Sequence, residues 1–134
     1  MTGQTAIGDD FEAFFEQART GFIIAGPDGR ILRANGRVVE WLGVTLEALR
    51  VMRFNDLLAI SGKVYYETHL APLLRMQGFI EEIALDLMRP NGDRLPILMN
   101  ALERRDSSGI PLSIHFTLFK AADRRHYERE MLAA

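Results

Sequence analysis

"GFIIAGPDGRILRANGRVVEWLG", residues 21–43, holds two short β-type runs, 21–25 and 30–34, on either side of Pro27-Asp28-Gly29. Proline presets φ at the first turn position and glycine supplies the positive φ that closes the turn, so the segment reads as a hairpin. After Asn35 the pattern shortens into helical pieces, "GRVVEWLG" and then "TLEALR", with Thr45 fitting an N-cap ahead of Leu46 and Leu49. "FNDLLAIS" adds another helical turn or two.

On the N-terminal side, residues 1–8 are small and polar and read as a frayed or disordered end. Phe11, Phe14, Phe15 and Ala18 follow at i, i+3, i+4, i+7, one face of a helix, and Asp9 with Glu12 has capping-box spacing. Those phenylalanines must bury against the domain's own sheet or against a second subunit, and the sequence leaves both open.

On the C-terminal side, "KVYYETHLAPLLRMQG" (63–78) reads as the longest helix. At about 100° per residue, Tyr66, Leu70, Leu73 and Leu74 fall in one arc, with His69 at its margin beside Tyr65 and Met76. Pro72 lacks an N–H and clashes with the Thr68 carbonyl, so a kink is expected beside His69. Three strands follow. Ile83, Leu85 and Leu87 alternate with Glu82 and Asp86; Leu95, Ile97 and Met99 lie on the partner after "PNGD"; Leu112, Ile114, Phe116 and Leu118 alternate with Ser113, His115 and Thr117 after "RDSSG". "AADRRHYEREMLAA" (121–134) reads as a helix without a stop signal, which implies a longer chain with an output domain beyond it. Two strands early and three late fit one five-stranded antiparallel sheet with short helices on one face, an α+β fold.

The 134 residues suit one domain, and 48% hydrophobic with 25% charged residues is a globular balance. No apolar run approaches the ~18 residues of a membrane span, and the N-terminus lacks the pattern of a signal peptide, so a cytoplasmic protein is expected. Cysteine is absent, which excludes disulfides, thiolate nucleophiles and cysteinyl–flavin chemistry. A formal net charge of −2 gives no field for nucleic acid.

The chemistry-bearing residues are sparse. The three histidines, His69, His115 and His126, belong to no nucleophile triad or metalloprotease motif, and there is no phosphate-binding glycine loop. Glu82 and Asp86 sit on the polar face of a strand. No catalytic residue and no metal site is therefore expected. The inward strand residues facing Trp41, Leu42, Tyr66, Leu70 and Leu73 either enclose an apolar pocket or pack solid. If there is a pocket, its walls are Trp41, Tyr65, Tyr66, His69, Leu70, Leu73, Leu85, Met99, Asn100 and Phe116, with Arg94 as a further polar handle.

The order of these elements, with Gly21, Asp28, Gly29, Ile31, Ala34, Asn35, Leu42 and Gly43 in place and "MRPNGDRLPILMNA" as a late hairpin, resembles the PAS domain family of bacterial signal transduction. The resemblance covers about residues 9–123 and sets the domain at 9–120, with 121–134 as a signalling helix. It implies a non-catalytic sensory module of a two-component or similar system, attached to a histidine kinase, phosphatase or cyclase. Tyr127 and Met131, at i, i+4 on the terminal helix, together with the phenylalanine-rich first helix point to a homodimer, for which Phe11, Phe14, Phe15, Tyr127 and Met131 are the candidate interface. The cofactor stays unassigned. Haem-binding members place a histidine on the long helix, but Leu70-Ala71-Pro72 after His69 departs from their pattern, and flavin is disfavoured by the lack of cysteine and the scarcity of amides in "VMRFNDLLAIS". A ligand-free dimerisation scaffold and a haem sensor using His69 are the alternatives. Lys120, Ala121 and Ala122 stand where many members close the last strand with Asp-x-Thr.

Overall fold

The computed structural model describes residues 2–121, with side chains from Ile7 onward. Helix α1 (Thr2–Gln17) leads into strands β1 (Gly21–Ala25) and β2 (Ile31–Ala34). Short helices α2 (Gly36–Leu42) and α3 (Leu46–Leu49), a 3-10 turn (Phe54–Leu57) and helix α4 (Ile60–Tyr65) follow. A π-helical turn (Tyr66–Leu70) joins α4 to α5 (Ala71–Gln77), and strands β3 (Phe79–Met88), β4 (Arg94–Arg105) and β5 (Pro111–Lys120) complete the described chain. The helix expected over 121–134, with His126, Tyr127 and Met131, lies outside the described residues.

All five strands form one antiparallel sheet in the order β2-β1-β5-β4-β3. The opening hairpin forms as its sequence predicts. Gly29 has φ +89°, the Gly29 N–H donates to the Gly26 carbonyl, and Asp28 Oδ1 accepts from the Arg30 N–H. Asn35 ends β2 and caps α2. It is fully buried; Oδ1 accepts from Phe22 N and Val38 N, while Nδ2 donates to the carbonyls of Phe15 and Thr20. One side chain thereby ties α1, β1 and α2 together. Gly43 closes α2 at φ +68°, a left-handed cap that a Cβ would strain.

The inner sheet face and the short helices share one core. Ile23, Leu42, Phe54, Leu70, Leu87, Ile97, Met99, Phe116 and Leu118 are buried there. Helix α1 starts at Thr2, so Asp9 lies inside the helix rather than at its N-cap. It packs on the outer face. The Phe15 and Phe22 rings stack at 5.8 Å, Arg33 lies 4.4 Å over Phe15 and pairs with Glu12, while Phe11 and Phe14 are each 70% exposed.

Three departures from simple periodicity reset which residues face inward. In β3, Ile80 pairs with Ala101 and Ile83 with Met99, so Glu81 and Glu82 together oppose Asn100. This bulge lets both isoleucines face the core, at the cost of a φ of +56° at Glu82. In β5, a second bulge opposite Arg104 and Arg105 leaves Leu112 exposed, where strict alternation placed it inward. In the long helix, the Ala71 N–H donates to the Tyr66 carbonyl, an i→i+5 bond just ahead of Pro72. The widened turn accommodates the missing proline N–H in place of a simple kink. It keeps Tyr66, Leu70 and Leu74 in line and buried and rotates Leu73 outward.

Candidate functional site

A cleft of about 500 Å3 opens between the 27–29 turn and the π-turn–α5 segment. Its lining includes Tyr66, Glu67, Pro72, Leu74, Arg75, Glu103 and Ile114. Glu103 continues the inward phase of Leu95, Ile97, Met99 and Ala101 to the end of β4, and pairs there with Ile114 of β5. Tyr66 begins the π-turn and lays its ring against Phe54 at 5.5 Å.

Glu103 is a buried carboxylate whose side chain is 2% exposed. It survives burial because its charge is met. Arg105 Nε donates to Oε1 at 2.8 Å, and Arg75 Nη2 lies 4.0 Å from Oε2. Arg105 also donates through Nη2 to the Arg75 carbonyl, fastening the end of β4 to α5. Tyr66 is 7% exposed. Burial first, and the nearby Glu103 charge second, push its phenol up to about 12, so it stays a neutral hydroxyl. No described residue hydrogen-bonds that hydroxyl.

The other expected pocket residues scatter. Leu70, Met99 and Phe116 are closed into the core, and Phe54 lies flat on Phe116 with centroids 3.9 Å apart. Trp41 is buried at the far end, where its carbonyl accepts from Arg89 Nε. Leu85 and Tyr65 border a separate groove with Ala59, Gly62 and Asp86. Asn100 belongs to the outer face, since the strand's inward phase is odd-numbered; its Oδ1 accepts from the Glu82 N–H at the bulge. Tyr65, His69 and Leu73 face outward. The Tyr65 and His69 rings stack at 5.1 Å, and His69 Nδ1 is 2.7 Å from Thr68 Oγ1. Arg94 is exposed and faces Asp86 at 3.7 Å.

Sequence reasoning passed over Glu103 and Phe54. The period-two pattern from Leu95 onward marks Glu103 as inward. Phe54 carries no comparable signal, because a 3-10 turn of four residues has no readable period.

The comparisons with known proteins agree with this architecture. Phosphoserine phosphatase RsbP of Bacillus subtilis (strain 168) is 30% identical over 117 residues, covering 87% of this chain and 28% of that protein. Sensor kinase CckA of Brucella abortus (strain 2308) is 31% identical over 98 residues, covering 72% of this chain and 10% of that protein. The chain thus spans less than a third of either relative. Among solved structures, the PAS domain of a protein from Colwellia psychrerythraea superimposes with a TM-score of 0.76 at 11% identity, covering 85% of this chain and 96% of that one. A domain of a sensor histidine kinase/response regulator from Geobacter sulfurreducens gives 0.68 at 17% identity, covering 83% and 91%. With residues 15–126 matched by the family model described as the PAS fold, and the sheet and its helices in the same arrangement, the chain belongs to the PAS domain family.

Proposed function

We propose that this chain is a non-catalytic, cytoplasmic sensory module that binds a small molecule in the cleft beside Tyr66. Binding would be passed to a kinase, phosphatase or cyclase output domain through the terminal segments. The observation that carries the reading is the Tyr66 hydroxyl. It belongs to a nine-tenths buried residue, lines the cleft, and lacks a described partner, a state that a bound ligand would complete. Tyr66 touches Phe54, Phe54 stacks on Phe116, and Phe116 lies on β5, the strand that leads into residues 121–134. That chain of rings gives a physical route from the cleft to the C-terminal segment. The exposed Phe11 and Phe14 on α1 support a homodimer as the signalling unit.

Native mass spectrometry of the purified protein tests the reading. A co-purified small molecule that is lost in Tyr66→Phe is expected; repeated absence of any bound molecule overturns it.

A second reading, a ligand-free dimerisation scaffold, is favoured by the Phe54–Phe116 stack, which fills the centre of the interior. Haem through His69 has no comparable support, since that ring is exposed and stacked on Tyr65. A protein left colourless after haem loading would close that possibility.

A further inference from the structure

Three carboxylates and one guanidinium line the cleft: Asp28, Glu67 and Glu103 against Arg75. Each carboxylate gives one oxygen to the fold. Asp28 Oδ1 accepts from Arg30 N, Glu67 Oε1 from Asn55 Nδ2, and Glu103 Oε1 from Arg105 Nε. Among the described residues, Asp28 Oδ2 and Glu67 Oε2 have no hydrogen-bond or ion-pair partner. Glu103 Oε2 has only Arg75 Nη2 at 4.0 Å, and Arg75 is 64% exposed. Asp28 and Glu67 are screened by water, whereas the buried Glu103 acts through a less polarisable interior. Tyr66, a nine-tenths buried residue whose hydroxyl has no described partner, lines the same space. Ala71, Pro72, Leu74 and Ile114 supply apolar wall.

Resting on the sensory reading above, we infer that the cleft takes a small organic cation, a protonated amine on a short apolar body. An ammonium carries three donors and no acceptor, and this cleft offers acceptors: the second carboxylate oxygens and the phenol oxygen. The ligand's charge replaces the loose contact of Arg75 with Glu103. A carboxylate ligand would meet Asp28 and Glu67, neither of them ion-paired, and a Glu103 already engaged by Arg105, with Arg75 the one guanidinium of the lining to receive it. A neutral alcohol would gain nothing from the field.

Isoamylamine, isoamyl alcohol and isovalerate share a branched five-carbon skeleton and carry a cationic, a neutral and an anionic head. Calorimetric titration of the whole chain with each at neutral pH tests the inference. The amine is expected to bind about ten-fold tighter than the alcohol, the difference a charged hydrogen bond supplies, and isovalerate not at all. Tyr66→Phe and Glu103→Gln should each weaken the amine about ten-fold. Because Glu103→Gln also removes the buried charge that Arg105 pairs with, the exposed Glu67→Gln serves as the variant that leaves the fold intact, and it should weaken the amine about two- to five-fold. Alcohol or isovalerate binding as tightly as the amine overturns the cation class and leaves the sensory reading standing. Absence of amine binding also overturns the cation class. In that case a co-purified molecule of another class retains the sensory reading, and no co-purified molecule removes both.

Discussion

Phe54 lies flat on Phe116, 6° from parallel with ring centroids 3.9 Å apart, and joins the helical layer to the centre of the sheet. Both rings are fully buried. Phe54→Ala should therefore cost about 3–5 kcal/mol, read by urea denaturation, because the removed ring leaves a cavity that the sheet cannot collapse into. A loss under about 1 kcal/mol would mean that the helical layer is not anchored there.

Asn35→Ala should cost about 2–4 kcal/mol. It strands the Phe22 N–H and the carbonyls of Phe15 and Thr20 inside the protein and removes the cap of α2. Asn35→Asp should be comparably destabilising, since an acceptor-only carboxylate would face the two carbonyls that now receive Nδ2. Equilibrium unfolding of the pair of variants checks both.

The Tyr66 phenol should titrate late in an ultraviolet pH titration, near 12, and Tyr66→Phe should abolish that step. The sign for stability follows from the raised value. Below pH 10 the phenol is neutral folded and unfolded alike, and the native protein is at full stability. Above about pH 10 only the unfolded chain loses the Tyr66 proton, so stability falls by about 1.4 kcal/mol per pH unit up to about 12. Tyr66→Phe should remove that slope in denaturation midpoints compared at pH 10 and pH 12.

Glu82→Gly should stabilise the protein by about 0.5–1 kcal/mol, because glycine adopts the φ of +56° without a Cβ penalty. Asn100→Ala should cost about 1 kcal/mol by removing the acceptor of the Glu82 N–H. Thermal melts of both variants measure the bulge. A destabilised Glu82→Gly would mean that the carboxylate has a role beyond filling the turn.

The double variant Phe11→Glu and Phe14→Glu should turn a dimer into a monomer in sedimentation equilibrium, with monomer stability lowered by no more than about 1.5 kcal/mol, since both rings are mostly exposed and Phe14 stacks on Phe22 at 6.3 Å. A wild-type chain that is already monomeric at micromolar concentration would remove the dimer from the proposal.

Much of the fold was legible in the chain. Pro27-Asp28-Gly29, Asn91-Gly92 and Asp106 with Gly109 are local turn chemistry, and the alternating runs fix five strands and most of their inward faces. Less of the site was legible. Tyr66 and Leu70 fell where the helical arc placed them, but Leu73 did not, and Asn100 lies on the opposite face from its expected partners. Tyr65 and His69 turn to solvent.

By itself the sequence determined what depends on neighbours along the chain: turns, caps, strand identity and the five-stranded sheet they imply. Tertiary structure decided what depends on finding a partner elsewhere. Where Pro72 left a carbonyl without its donor, a π-turn rotated the helix face. Where Ile80 and Ile83 both needed the core, a bulge admitted them. Glu103 could remain buried because Arg105 and Arg75 arrived from the strand end and the helix to meet its charge. Periodicity records which way a side chain points; only the folded chain settles whether a buried polar group is answered.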